Sequence, residues 1–497
     1  MLRTFRRKAA HSRWKGSVFM VQETERRDPL GYEKVGKLMR KFAIPSIMAL
    51  LVNSIYNIID QIFIGNVVGE LGNAATNVAF PLISLCTALS LLFGIGGAAG
   101  FNLKMGAGDR EKAPYYIGTA ITFSLLSGIL LLIITEVFMT PLLRAFGAPD
   151  TVLPYAIDYT WILALGFPAC MIVTTGGHVM RADGRPNLTM TYSIIGAVIN
   201  VGLDAWFIVG LGWGMQGAAL ATIIGQYISA LLFVFSFRNF KSFKVKFAYF
   251  IPRLSLAGRV ASLGLGPASN QAAMVVTQIV LNNSLKIYGA QSIYGEEIPI
   301  AIAGIIMKVS GIMMSVVIGL GQGQQPIASF NYGAGNCRRV KDIYYRTLIC
   351  AGIFSVICFI IYQTIPEMLI KAFGDGSELY IEFGVMYFRV FLFATFIFFL
   401  QPVTANLFTA LGKPWKGMFL SLTRQIIYLI PLMLILPRFM GIDGILYSQP
   451  TSDFLAAITS VVMVCIEFSA PEFRREKGVF KGIFVKNKEA AAEEGAA

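Results

Sequence analysis

"GFNLKMGAGDREKA" (Gly100–Ala113) and "IASFNYGAGNCRRV" (Ile327–Val340) are two versions of one segment, with Gly106 matching Gly333 at an offset of 227. The register persists on either side. "RAFGAPD" (Arg144–Asp150) pairs with "KAFGDGS" (Lys371–Ser377), Gly147 matching Gly374 at the same offset. "GMQG" pairs with "GIDG", Gly217 matching Gly444, again at 227. "DGRPN" and "LGKPW" pair Gly184 with Gly412 at 228. Chance does not hold one register from Gly106 to Gly217. The chain is built from two related halves, a common construction in membrane carriers.

The repeat sits in an apolar chain. Its 497 residues are 55% hydrophobic and 14% charged, with a mean hydropathy of +0.64; soluble domains carry about 25% charged residues. Twelve stretches approach or exceed the roughly 20 apolar residues that a bilayer-spanning helix needs: 42–66, 74–102, 115–139, 155–180, 187–209, 215–237, 261–285, 298–330, 343–365, 378–405, 417–437 and 442–468. The expected fold is an all-α polytopic membrane protein of twelve transmembrane helices in two six-helix bundles. Six spans per half is even, so the halves enter from one side and are related by a pseudo-two-fold axis along the membrane normal. The expected division is an N-terminal segment (1–41), a first bundle (42–237), a linker (238–260), a second bundle (261–468) and a tail (469–497).

The chain carries 42 Lys and Arg against 28 Asp and Glu, a net charge of +14. Thirty-five of the 42 lie in or beside the two termini and the loops on their side; four lie in the opposite loops, and Lys308, Arg389 and Arg424 fall inside spans. That asymmetry predicts cytoplasmic termini and accounts for the charge without nucleic acid. The first 40 residues lack an apolar signal core, so no cleaved signal is expected. The opening "MLRTFRRKAAHSRWKGSVF" reads either as a basic targeting arm or as sequence ahead of a start at Met20. Six cysteines and two histidines, His11 and His178, form no metal-ligand spacing, so neither a metal centre, a cofactor nor a disulfide framework is expected. "GIGGAAG" (Gly94–Gly100) and its partner "GLGQGQQP" (Gly319–Pro326) follow no strand and suit close helix packing better than dinucleotide binding. No GxxxxGK[ST] loop is present, which argues against an ATP-driven engine. Pro81, Pro168, Pro326, Pro402 and Pro431 fall within spans, where bends can act as moving parts.

Two acids lie deep in the first half. In "NSIYNIIDQIFIG" (Asn53–Gly65), Asn53, Asn57 and Asp60 share one helix face, and Tyr56 is one turn before Asp60. In "INVGLDAWF", Asn200 and Asp204 are again one turn apart. A charge at the centre of a spanning helix costs about 2.5–3.5 kcal/mol and usually marks a pathway or a pair. If helices 1 and 5 face each other, the carboxylates form a proton carrier, or an oxygen cage for sodium at Asp60, Asn200 and Asp204. The second half does not repeat them. Aligning Pro45 with Pro267 sets Asn282 opposite Asp60, and Pro431–Leu432 falls opposite Asp204. Its buried charges are read as Lys308, Arg389, Arg424 and Asp453, of which Lys308 and Asp453 have a purely structural pairing as the bland alternative. The first half is therefore read as the ion site and the second as another part of a substrate cavity, with Asn53, Asn57, Gln278, Asn282, Lys308 and Arg424 as its candidate wall. His178, beside Arg181 and Asp183, reads as a satisfied boundary residue.

"YNIIDQIFIG", "GLGQGQQPIASFNYGAG", "NVGLDAWFIVGLGWGMQGAA" and the paired "MGAGD" and "YGAGN" loops resemble the multidrug and toxic compound extrusion (MATE) family, in particular its MepA-like bacterial branch. The resemblance runs from about Lys37 to Glu467. It implies a V-shaped pair of bundles that exports organic cations and other amphipathic compounds in exchange for protons or sodium by alternating access. It implies an ion site at Tyr56, Asp60, Asn200, Asp204 and Thr222. On helix 4 the family's polar position meets only "TTGGH" (Thr174–His178), and helix 7, "NQAAMVVTQIVLNNSLK", lacks the acid some members carry there. A transporter rather than an enzyme, monomeric, in a bacterial plasma membrane, follows as the expectation. The rival is a lipid-linked oligosaccharide flippase, for which the few in-span cations would hold pyrophosphate. A membrane-embedded prenyl transferase would need a DDxxD-type cluster, which the sequence lacks.

Overall fold

The computed structural model describes residues 28–295, 297–372 and 377–474, and every regular element among them is helical. The Met20 start, the basic opening, most of the tail and Gly374 of the repeat lie outside the described residues. In chain order the first bundle comprises α1 (Val35–Val67), α2 (Glu70–Gly106), α3 (Ala113–Val137), α4a (Leu153–Leu165) with α4b (Phe167–Ala182), α5 (Pro186–Asp204) and α6 (Gly214–Ser236). The second comprises α7 (Leu254–Ala290), α8 (Glu297–Gly333), α9 (Cys337–Thr364), α10 (Glu378–Ala410, broken twice), α11 (Pro414–Met440) and α12 (Ile442–Phe468).

Ten of these helices are long and apolar enough to cross a membrane, and α4a with α4b makes an eleventh, bent by 53°. Pro168 stands just inside α4b, where its fixed φ suits the first turn of a helix that follows a break. The twelfth expected span, α7, is one unbroken helix of 37 residues. It falls short in apolarity because Asn270, Gln271, Thr277, Gln278, Asn282 and Asn283 recur along it. Several helices also run past the expected ends, as α1 and α2 do, because polar residues beyond the apolar run continue the same backbone.

The repeat is visible in the backbone. Gly108 and Gly335, 227 residues apart, both turn with positive φ (80° and 73°), which an L side chain resists. Gly214 and Gly441 repeat this at the same offset, with φ of 53° and 59°.

The bundles meet at the end that carries the basic loops. The glycine motifs make that contact. A Cβ on Gly96 of α2 would strike the carbonyl of Val260 on α7, and one on Gly264 would strike that of Leu92. In the symmetric place, a Cβ on Gly323 of α8 would lie 2.6 Å from Ala43 Cα of α1, and one on Gly319 would lie 2.8 Å from Ile47 Cα. Gly106 and Gly333 complete the pattern by packing on each other's helices.

Each bundle's leading helix begins in the other bundle's core. Leu38 and Phe42 of α1 are buried with Leu407, Phe408, Leu420 and Val464. Val260 of α7 is buried with Phe93, Phe101 and Tyr116. Farther along, α1 rejoins its own bundle at Ile64, and α7 does so at Leu281 and Leu285. Among the described residues, the side-chain hydrogen bond between bundles farthest from the basic end joins the hydroxyls of Ser54 and Ser315 at 2.7 Å.

Candidate functional site: a carboxylate chamber in the first bundle

Helix α1 packs along α5, and α5 along α6. The second contact is close because two glycines face each other: a Cβ on Gly225 would lie 2.8 Å from the Gly196 carbonyl oxygen. That approach brings Asn200 to Thr222, whose Oγ1 accepts a hydrogen bond from Asn200 Nδ2 at 3.3 Å. Between the helices lies a chamber of about 90 Å³ lined by Asn53, Tyr56, Thr174, Asn200, Thr222 and Gln226, among others.

Asp60 and Asp204 lie beside this chamber, 7% and 0% exposed, near enough for their charges to act on each other. Tyr56 and Tyr159 lie close to both. Neither carboxylate has a cationic partner among the described residues. Asp60 Oδ1, both oxygens of Asp204 and Asn200 Oδ1 are buried and accept no hydrogen bond from the described residues. An ionised carboxylate so placed carries a penalty of several kcal/mol unless a proton or a cation offsets it. Asp204 also ends regular α-helix: Ala205–Gly210 is a π-helical stretch, a local irregularity frequent at functional positions.

Of the five residues expected at the ion site, Tyr56, Asn200 and Thr222 line the chamber, and Asp60 and Asp204 stand one helical turn farther along α1 and α5. Of the expected cavity wall, Asn53 lines it, while exposed Asn57 donates back to the Asn53 carbonyl at 2.8 Å. Gln278 and Asn282 bond to each other at 2.9 Å on the exposed side of α7, and Lys308 and Arg389 are exposed on α8 and α10. On α4b, Thr174 reaches the chamber, whereas Thr175 bonds Ser124 at 2.7 Å. His178 is buried with its Nδ1 2.9 Å from Arg181 Nη2.

A different chamber, about 100 Å³, is lined mainly by the second bundle, with Asn270, Gln271, Met274, Gln322, Gln401 and Arg424 among its walls, and by Leu91 and Ile95 of α2. Arg424 donates to Asp453 at 2.6 Å and lies over the Phe398 ring at 4.2 Å; Gln449 donates to both Asp453 oxygens, at 3.3 and 3.2 Å. Here the structural pairing holds for Asp453, while Lys308 is not drawn into it. Arg424 lies in a π-helical stretch, Thr423–Leu429, so α11, like α5, carries a charged residue at a break in regular helix, of opposite sign and nearer the start of its helix. The glycines that bracket the two helices, Gly184 with Gly412 and Gly214 with Gly441, keep the place equivalent to Asp204 at Pro431–Leu432, about two turns past Arg424.

Sequence reading missed Tyr159, Asn270, Gln271 and Gln401. The last three carried a signal, as amides in apolar helices. Tyr159 carried none, since a tyrosine in a spanning helix is ordinary.

The MatE family model matches residues 45–206 and 274–435, one copy per bundle. "Multidrug export protein MepA" of Staphylococcus aureus (strain MSSA476) is 23% identical over 431 residues, 86% of this chain and 93% of that protein. A multidrug resistance MATE family transporter of the MOP superfamily, solved in an outward-facing conformation, superposes with a TM-score of 0.83 at 20% identity over 89% of this chain and 97% of its own. The MATE multidrug transporter DinF-BH, solved in complex with R6G, superposes with a TM-score of 0.81 at 29% identity over 88% and 97%. With both halves matched, and with the two-bundle fold those structures share, the chain belongs to the MatE family of multidrug and toxic compound extrusion transporters and is a carrier rather than an enzyme.

Proposed function

We propose that this transporter exports organic cations and amphipathic compounds by antiport against protons, with Asp60 and Asp204 as the proton-accepting pair and Asn200, Thr222 and Tyr56 completing the site. The single observation that carries the reading is the set of buried, donor-free carboxylate oxygens beside the first chamber. In their charged form they attract a cation; in their protonated form they do not. The exchange follows from that opposition, because cargo and proton compete for one negative charge and each promotes release of the other.

The basic end faces the cytoplasm in this reading, so the bundles are closed inside and the first chamber communicates outward. A proton arriving from outside neutralises the pair, removes the attraction for cargo, and lets α1 repack before the bundles rock. The same oxygen set suits sodium, and imposed gradients separate the two ions. The second chamber, with Met274, Met314 and its amides, supplies pliable apolar wall with several hydrogen-bonding orientations. Its one cation is already paired with Asp453, which weighs against a pyrophosphate-binding flippase. The setting is a bacterial plasma membrane, with the protein acting as a monomer.

The test is proton release. Ethidium added to detergent-purified protein in weakly buffered medium releases protons from the wild type and none from Asp60→Asn/Asp204→Asn. Equal release from both would remove the two acids from the mechanism.

A further inference from the structure

The basic end carries a groove of about 740 Å³ that the transport chambers do not use. One wall is the start of α1, with Lys34, Lys37 and Arg40; the other is the start of α9, with Arg338, Arg339 and Arg346; Asp342 is the acidic lining residue. Part of that charge is committed. Arg339 donates to Asn331 Oδ1 and to the carbonyls of Leu30 and Glu33 at 2.7–3.1 Å. Arg346 pairs with Asp342 at 2.7 Å and Lys37 with Glu33 at 3.6 Å. Lys34, Arg40 and Arg338 are exposed and make no ion pair among the described residues. Like charges gathered so closely repel unless an anion joins them.

The helices then say what kind of anion. On α1, Ile44 and Met48 follow Arg40 at one-turn intervals, 55% and 41% exposed. On α9, Ile349 and Ile353 continue the face of Arg346, 61% and 60% exposed. Cations therefore give way to exposed aliphatic stripes running toward the middle of the spans. A free phosphate would use the cations and leave the stripes without a role. A phospholipid uses both.

We propose that this groove binds an anionic phospholipid, its phosphate held by Lys34, Arg40 and Arg338 and its acyl chains lying along Ile44, Met48, Ile349 and Ile353. Basic pockets between spanning helices are suited to such headgroups. The groove joins the leading helix of one bundle to a helix of the other, so the bound lipid bridges the bundles where they are closed.

The experiment is native mass spectrometry of the full chain in detergent, with phosphatidylglycerol, phosphatidylcholine or inorganic phosphate added. Phosphatidylglycerol is retained at about tenfold lower concentration than phosphatidylcholine, and phosphate at the same excess does not displace it. The triple variant Lys34→Gln/Arg40→Gln/Arg338→Gln loses that preference, while Lys34→Arg/Arg40→Lys/Arg338→Lys keeps it. Equal retention of the two lipids, displacement by phosphate, or an unchanged preference in the neutral variant overturns the proposal. Should the neutral variant not purify folded, the three-ligand comparison on wild type decides alone.

Discussion

Asn200 Nδ2 donates to Thr222 Oγ1 at 3.3 Å, and the other end of the same amide, Oδ1, is buried without a donor. One side chain thus belongs to the scaffold at one end and to the ion site at the other. Its neighbour one turn on, Asp204, is unsatisfied at both oxygens. The site is held in place by bonds that do not quench it.

Neutralising either acid separates stability from transport. Asp60→Asn and Asp204→Asn remove a buried charge that no group among the described residues offsets. Thermal melts in detergent are expected to match or exceed wild type, while coupled export falls to the rate of empty liposomes. A lowered melting temperature with export retained would contradict both halves of this prediction.

The Arg424–Asp453 pair behaves in the opposite way. Arg424→Met or Asp453→Asn alone leaves its partner uncompensated and is expected to cost about 3–5 kcal/mol. Arg424→Met with Asp453→Leu is expected to recover most of it. Chemical denaturation of the three variants in mild detergent measures the coupling.

Closure at the basic end depends on the absence of side chains. Gly323→Leu places carbon where Ala43 already lies, with the Cβ alone 2.6 Å from Ala43 Cα. The bundles are expected to stand apart there, lengthening distances between spin labels on α1 and α8, and export is expected to stop. Unchanged distances would show that the helices slide to accommodate the change.

A pH signature lies outside the spans. Asp28 caps the short helix Pro29–Tyr32 by accepting from Leu30 N at 3.1 Å. Burial pushes its carboxyl above the ordinary range, aided by Asp183 and opposed by Arg110 and Lys241. The folded protein therefore holds this proton more tightly than the unfolded chain. The contribution is most favourable below Asp28's ordinary value near 4 and declines as pH rises through the raised folded value. Asp28→Asn keeps the cap and is expected to flatten this slope, with stability at neutral pH equal to or above wild type. Melting temperatures between pH 4 and 7 read it.

The two-bundle fold was legible because it is written twice: the positive-φ glycines of the two halves stand 227 residues apart in sequence and turn alike in space. Helix α7 shows the limit of counting apolar residues, since a helix with a polar face is less apolar than its position implies. Asp60 and Asp204 were legible because a lone carboxylate in an apolar helix needs a reason. Tyr159 was not, because only three-dimensional packing brings it near them. The exchange of leading helices between the bundles was hidden for the same reason: Leu38 and Val260 look like any core residues until their neighbours are known.

The most direct measurement is ethidium export from liposomes holding purified protein, under an imposed pH gradient and separately under a sodium gradient, for wild type and Asp60→Asn. The expected result is export driven by the pH gradient in wild type and abolished in Asp60→Asn. Export driven by sodium alone, or pH-driven export at full rate in Asp60→Asn, would contradict proton coupling at this site.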